Sequence, residues 1–297
     1  MQILHNQQAH TMNFKTILVD LTDGPACAAR VESAAQVAAA FDGSVVGLTA
    51  TGTQLEPFRG AGEEAGRYAA LARDKLQHLA ARQHEALREW VGRVSPAIPT
   101  RHVVVEAEAG WALATHGRFA DLILPGPPSV HTDIPIGLPG VAEYVMLQAG
   151  RPILLLPGLA SVTLEGRVAI AWNGSRAAAR AVADAMPWLA RAAAVSVLVV
   201  ATANESREPQ AHETHESDAS HESGQRLMAW LASHGVEADL HVEQGDPDEA
   251  LPRLVDAVQA GLLVAGGYGH SRLRELVLGG STRCLLRQSA FPVFMSH

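Results

Sequence analysis

The sequence has few cysteines and no long apolar run. Cys27 and Cys284 lie in alanine- or leucine-rich stretches and show no metal-ligand or Cys-x-x-Cys spacing. A disulfide framework is therefore not expected, and a reducing compartment fits. No apolar run reaches the ~18 residues of a membrane span, and residues 1–13 lack the basic-then-apolar pattern of a signal peptide. These absences predict a cytoplasmic protein without a membrane partner.

The chain also lacks an excess of basic residues and the common catalytic motifs. Its formal net charge of −8 argues against a nucleic-acid partner, because such proteins normally present a basic face. The sequence contains no Gly-x-Ser-x-Gly elbow, no Walker lysine after a glycine loop and no His-Glu-x-x-His. No catalytic residue is assigned, and at most slow ATP hydrolysis is expected.

What the chain does contain is an alternation of apolar strand-like runs and amphipathic helix-like runs, which occurs twice. In the first half, strands are predicted at 15–22, 43–50, 100–106, 120–125 and 152–156, with helices at 26–41, 67–91, 110–119 and 141–148. In the second half, strands are predicted at 167–172, 195–200, 237–243, 262–265 and 291–295, with helices at 175–189, 228–234 and 246–260. Ser175 is the predicted N-cap of the first of these helices.

The spacing of matching segments identifies an internal repeat. Asp23-Gly24 matches Asn173-Gly174 at an offset of 150, and Asp121–Gly126 matches Gly261–Gly266 at an offset of 140. The length of 297 residues also suits two domains. Alternating strands and helices with apolar strands predict the α/β class, with two doubly wound parallel sheets.

The second half carries a glycine motif directly after a predicted buried strand. We call six residues the glycine motif: Gly266, Gly269, Gly279, Gly280, Ser281 and Thr282. Glycine lets the backbone approach a ligand closely, and hydroxyls with free amides at a helix N-terminus suit a phosphate. The alternative is that these glycines only permit tight turns between strands and helices.

This motif resembles the nucleotide motif of the universal stress protein family. That pattern has a glycine, two residues, a glycine, nine residues, a glycine and a hydroxyl residue; here Gly280 occupies the hydroxyl position and Ser281-Thr282 follow. The resemblance implies five strands in the order 3-2-1-4-5 in each half, as in adenine nucleotide alpha hydrolase-like folds. It implies universal stress protein domains at 14–157 and 165–297, and residues 1–13 before them are expected to form a flexible tail.

The resemblance further implies a nucleotide-linked role in stress response, with ATP or a related adenine nucleotide in the second domain. The base would contact Ala171, Trp172, Asn173 and Val200. Trp172 would either stack on the base or pack against a neighbouring helix. Asn173 stands where the family usually has an acidic residue, so Mg²⁺ dependence is uncertain.

Cationic residues follow the first two glycines of the motif. His270 and Arg272 are expected to meet the outer phosphates, although a solvated loop in which Glu275 pairs with an arginine is the alternative. His212, His215 and His221 could bind a transition metal, but the polar segment 204–223 favours a solvated loop and no metal is assigned.

The first half has a degenerate copy of the glycine motif. The matching residues are Pro125-Gly-Pro-Pro-Ser129 and Pro139-Gly-Val-Ala142. Proline has no N–H to offer a phosphate, so the first half is expected to lack this site. The terminal strands, 152–156 and 292–295, are the expected contact edges of an intramolecular pseudo-dimer.

Other partners and other functions stay open at this stage. Pairing of two chains and docking of an unknown protein partner are both compatible with the sequence. A ligand-free interaction module with a vestigial site and a weak ATP hydrolase are the two alternative functions.

Overall fold

The computed structural model describes residues 13–22, 24–52, 62–126, 140–201, 213–267 and 290–297, and only the backbone of 62–73 and 213–218. The ten strands found there are β1 (Thr16–Asp20), β2 (Ser44–Ala50), β3 (Thr100–Val105), β4 (Leu122–Leu124), β5 (Ile153–Leu155), β6 (Arg167–Ala171), β7 (Ala194–Ala201), β8 (Ala238–Gln244), β9 (Leu262–Gly266) and β10 (Val293–Ser296). The helices are α1 (Cys27–Ala40), α2 (Gly62–Val94), α3 (Ala109–Gly117), α4 (Val141–Ala149), α5 (Arg176–Leu189), α6 (Glu213–Ser233) and α7 (Pro247–Ala257).

The strands form one continuous sheet in the order β3-β2-β1-β4-β5-β10-β9-β6-β7-β8. Each half contributes five parallel strands in the order 3-2-1-4-5, which confirms the predicted fold class. The two halves meet where β10 runs antiparallel to β5, with Phe294 opposite Leu154. The contact edges are therefore the two terminal strands that the sequence analysis names, and their pairing joins two five-stranded sheets into one.

Helices cover both faces of the sheet, because strands buried on both sides need an apolar layer on each. One core lies between the sheet and helices α1, α2, α5 and α6. The other lies between the sheet and helices α3, α4 and α7. None of the helices in the described part of the chain combines the length and the apolar character needed to cross a bilayer.

An aromatic cluster spans the junction of the two halves. Phe14 packs edge-on against Trp188 with ring centroids 6.1 Å apart, and it also contacts Phe294 at 6.1 Å and Phe41 at 5.1 Å. Trp188 and Phe294 are fully buried. Since Phe14 belongs to the first half and Trp188 to the second, the two halves share the core beneath α1, α2, α5 and α6.

Two helix boundaries differ from the sequence analysis. Helix α2 begins at Gly62, before the predicted start at residue 67. Helix α6 begins at Glu213, so most of the polar segment predicted as a loop is helical. Pairs at i and i+4 support this helix, including Glu222 with Arg226 and His221 with Gln225. Polarity alone misled the prediction, because one face of α6 is apolar only near its C-terminal end.

Candidate functional site

The candidate site lies where strand order reverses in the second half. Strand β6 pairs with β7 on one side and with β9 on the other. The strand that follows β6 in the chain, β7, lies on one side of the β6–β9 pair, and the strand that follows β9, β10, lies on the other. In open parallel sheets this arrangement opens a crevice at the strand ends, where ligands bind.

The turn from β6 into α5 is fixed by its own side chains. Asn173 is exposed, and its Oδ1 accepts a hydrogen bond from the Ser175 amide (3.1 Å). Gly174 has a φ of +70°, which a glycine adopts without strain. The Ser175 Oγ accepts a hydrogen bond from the Ala178 amide (3.1 Å), which confirms Ser175 as the predicted N-cap.

Gly266, at the end of β9, lies against the first turn of α5. A Cβ at this position would be 2.4 Å from the carbonyl carbon of Ala177 and 2.4 Å from the amide nitrogen of Ala178. Both are backbone atoms, so a side chain could not be accommodated without moving the helix. The missing side chain therefore lets the end of β9 meet the N-terminal turn of α5, and this contact brings the two sides of the crevice together.

The other residues predicted around the base divide between the two faces of the sheet. The Trp172 Nε1 donates a hydrogen bond to Ser223 Oγ on α6 (3.0 Å), and the ring packs on the core beneath α5 and α6. Ala171 and Val200 pack on the opposite face, beneath α7. The structure thus places Trp172 against a neighbouring helix, which was one of its two interpretations.

The remainder of the glycine motif and the two cationic residues expected at the outer phosphates lie outside the described residues. This applies to Gly269, His270, Arg272, Gly279, Gly280, Ser281 and Thr282. Their predicted roles at a phosphate stay predictions. Cys284 and the tail up to residue 12 also lie outside the described residues, whereas Cys27 is buried in α1.

Of the three histidines named as candidate metal ligands, the structure describes the side chain of His221. His221 lies on α6, with its Nε2 2.9 Å from Gln225 Nε2. His212 and the side chain of His215 fall outside the description. Among the residues that the structure does describe, no three His, Cys, Asp or Glu side chains are grouped so as to hold a metal ion.

The structure adds Asp20, which the sequence analysis did not select. Ile17 is opposite Leu122 in the first half, and Val168 is opposite Leu262 in the second. Asp20 therefore corresponds to Ala171 at an offset of 151. This is one more than the offset of 150 that relates Asp23-Gly24 to Asn173-Gly174. The connection after β1 is thus longer than its counterpart, and the insertion hid a buried carboxylate at the end of an apolar strand.

A second polar cluster lies near the carboxyl end of β2. The Gln83 Nε2 donates to the Leu21 carbonyl (2.7 Å), so its Oε1 accepts the Thr49 hydroxyl proton. Thr49 Oγ1 then accepts from His102 Nε2 (2.8 Å), which fixes the imidazole tautomer. Burial, with a smaller contribution from His84, lowers the pKa of His102 below its ordinary value. The cluster favours a neutral imidazole.

Comparison with known proteins agrees with this doubly wound repeat. The Universal stress protein family model matches residues 166–297. A universal stress protein of Synechocystis sp. is 35% identical over 63 residues, which is 21% of this chain and 22% of that protein. The chain thus spans about a fifth of the length of this curated relative.

Solved structures resemble the chain over almost its full length. A universal stress protein from Archaeoglobus fulgidus has a TM-score of 0.68 at 16% identity, covering 95% of this chain and 97% of that one. A protein of unknown function from Pseudomonas aeruginosa has a TM-score of 0.59 at 14% identity, covering 95% and 92%. At these identities the likeness shows the fold.

The fold and the matched half together define the class as a doubly wound α/β protein built from two repeats. Residues 166–297 form a universal stress protein domain. The family assignment thus rests on the second half of the chain, which the family model matches.

Proposed function

We propose that the second half binds ATP or a related adenine nucleotide and that the protein acts in stress response as a nucleotide-linked regulatory or protective protein. One observation carries the proposal. Gly266 brings the end of β9 against the first turn of α5, at the point where strand order reverses, and the rest of the glycine motif follows directly in sequence.

The chemistry of the motif fits a polyphosphate. Glycine amides and the hydroxyls of Ser281 and Thr282 can donate to phosphate oxygens without neutralising them. His270 and Arg272 supply positive charge for the outer phosphates. The protein's net charge of −8 makes such local donors necessary, because its overall charge repels a polyanion.

Binding through Asn173 should not require Mg²⁺. Its side chain is a neutral amide, and the Oδ1 already accepts the Ser175 amide proton. A carboxylate would offer the cation a charged oxygen ligand. The amide oxygen of Asn173 carries no net charge, and it already accepts one hydrogen bond. We therefore expect nucleotide affinity to change little when Mg²⁺ is removed.

The first half completes a tandem arrangement in this proposal. Residues 14–157 and 165–297 would be two universal stress protein domains that pack as an intramolecular pseudo-dimer. The β5–β10 pairing and the contact of Phe14 with Trp188 support this. A cytoplasmic location, a protein partner docking on the first half and pairing of two chains are further parts of the proposal.

Equilibrium titration with ATP tests the nucleotide site directly. Ser281→Ala combined with Thr282→Val should weaken binding by roughly 1–3 kcal/mol, because two donors are lost. The first half already carries Val141 and Ala142 at the matching positions, so these small apolar residues suit the fold. Gly269→Val should abolish binding by placing a branched side chain in the phosphate path.

The matched control for Gly269→Val is Ser129→Val, at the corresponding position of the first half. This control should leave ATP affinity unchanged. Equal ATP affinity in the wild type, Gly269→Val and the double variant would reject the site. A protein with no measurable affinity for any adenine nucleotide would instead favour a ligand-free interaction module.

A further inference from the structure

The first half contains a buried carboxylate at the place that corresponds to the candidate site. Asp20, at the end of β1, is 2% exposed. Its Oδ1 accepts hydrogen bonds from the amide (2.9 Å) and the hydroxyl (2.8 Å) of Thr22. Its Oδ2 accepts a hydrogen bond from the Gly126 amide (3.0 Å). Three donors from two separate segments therefore converge on one carboxylate.

Gly126 is the counterpart of Gly266, the first residue of the glycine motif. A Cβ on Gly126 would lie 2.5 Å from Asp20 Oδ2, so the carboxylate occupies the space that a side chain would need. At the second-half position of Asp20 the chain has Ala171, whose methyl group accepts no hydrogen bond. The first half thus has a carboxylate beside Gly126, whereas the second half has no carboxylate at the matching position beside Gly266.

A buried arginine is hydrogen-bonded to the backbone of the same turn. Arg30 is 4% exposed, and its Nε donates to the Asp20 carbonyl (2.9 Å) while its Nη2 donates to the Thr22 carbonyl (3.1 Å). The two backbone amides and the hydroxyl that donate to the Asp20 carboxylate are the donors that a small oxyanion would need. Arg30 holds the backbone of the turn that presents two of these donors.

We propose that the first half has a built anion site that the carboxylate of Asp20 permanently fills, so that this half is closed to phosphate by an internal ligand. Removal of the carboxylate should expose the site to small oxyanions such as formate or inorganic phosphate. The proposal concerns the first half alone and does not depend on nucleotide binding by the second.

Chemical rescue of Asp20→Ala tests the proposal. We expect this variant to melt at a lower temperature than the wild type, and we expect formate or phosphate to raise its melting temperature more than chloride at matched ionic strength. Asp121→Ala is the matched control, because the Asp121 Oδ2 also accepts two backbone amides, those of Lys15 and Thr16. The formate response of Asp121→Ala and the wild type should be no larger than their chloride response.

Two further results decide the matter if Asp20→Ala does not fold in chloride. Refolding with formate should then recover folded protein that chloride does not. Asp20→Asn, which keeps the shape but turns one acceptor into a donor, should be destabilised and unresponsive to formate. An Asp20→Ala variant that responds to formate no more than the wild type does, or an Asp20→Asn variant as stable as the wild type, would overturn the proposal.

Discussion

Replacement of Gly266 by alanine tests how the end of β9 contacts α5. The new Cβ would lie 2.4 Å from two backbone atoms of the helix, whereas carbon atoms in van der Waals contact are about 3.5–4.0 Å apart. Strand and helix must therefore separate by about 1 Å. Backbone atoms cannot rotate away as a flexible side chain would, so the cost should lie near the upper end of the ~1–3 kcal/mol typical of overpacked sites.

Thermal unfolding monitored by circular dichroism measures this cost. A loss of about 3 kcal/mol corresponds to a decrease of roughly 6–12 °C in melting temperature, using the sensitivity of domains of about 150–250 residues. Gly261→Ala is the matched control, since the nearest atom to its Cβ is 4.0 Å away and the glycine φ is not positive. Equal melting temperatures for Gly266→Ala and Gly261→Ala would refute the argument.

Two further predictions concern the core and the first half. Phe14→Ala should cost about 3–5 kcal/mol, as for other buried aromatic residues. Far-UV circular dichroism and tryptophan fluorescence should report one shared unfolding transition, and separate transitions would show that the halves unfold independently. The pKa of His102 is lower in the folded chain than in the unfolded chain. As the pH falls, the His102 imidazole is therefore protonated in the unfolded chain first, so the free energy of unfolding decreases from about pH 6.5 downward. Urea unfolding should show a smaller loss between pH 7 and pH 5 for His102→Gln than for the wild type, and an equal loss would contradict this.

The order of the elements could be predicted from the sequence because apolar runs and turn residues alternate with a repeated spacing. The N-cap role of Ser175 could also be predicted, since a serine before an alanine-rich helix is a common N-cap. The continuous ten-stranded sheet was harder to predict. It depends on the antiparallel pairing of β5 with β10, a contact between segments far apart in the chain.

The site was predicted less completely than the fold. Trp172 follows a strand whether it faces a ligand or a helix, and only its hydrogen bond to Ser223 distinguishes the two. Asp20 was missed because a one-residue difference in the connection after β1 hid its correspondence with Ala171. The N-terminal part of helix α6 was missed because its residues are polar, although pairs at i and i+4 stabilise such a helix.

Mass spectrometry of the small molecules released by denaturing freshly purified protein tests the central claim most directly. It should be combined with ATP titration in the presence and absence of Mg²⁺. The account predicts one adenine nucleotide per chain, since Asp20 closes the first half, and an affinity that changes little without Mg²⁺. A protein that releases no nucleotide and does not bind added ATP would contradict the account.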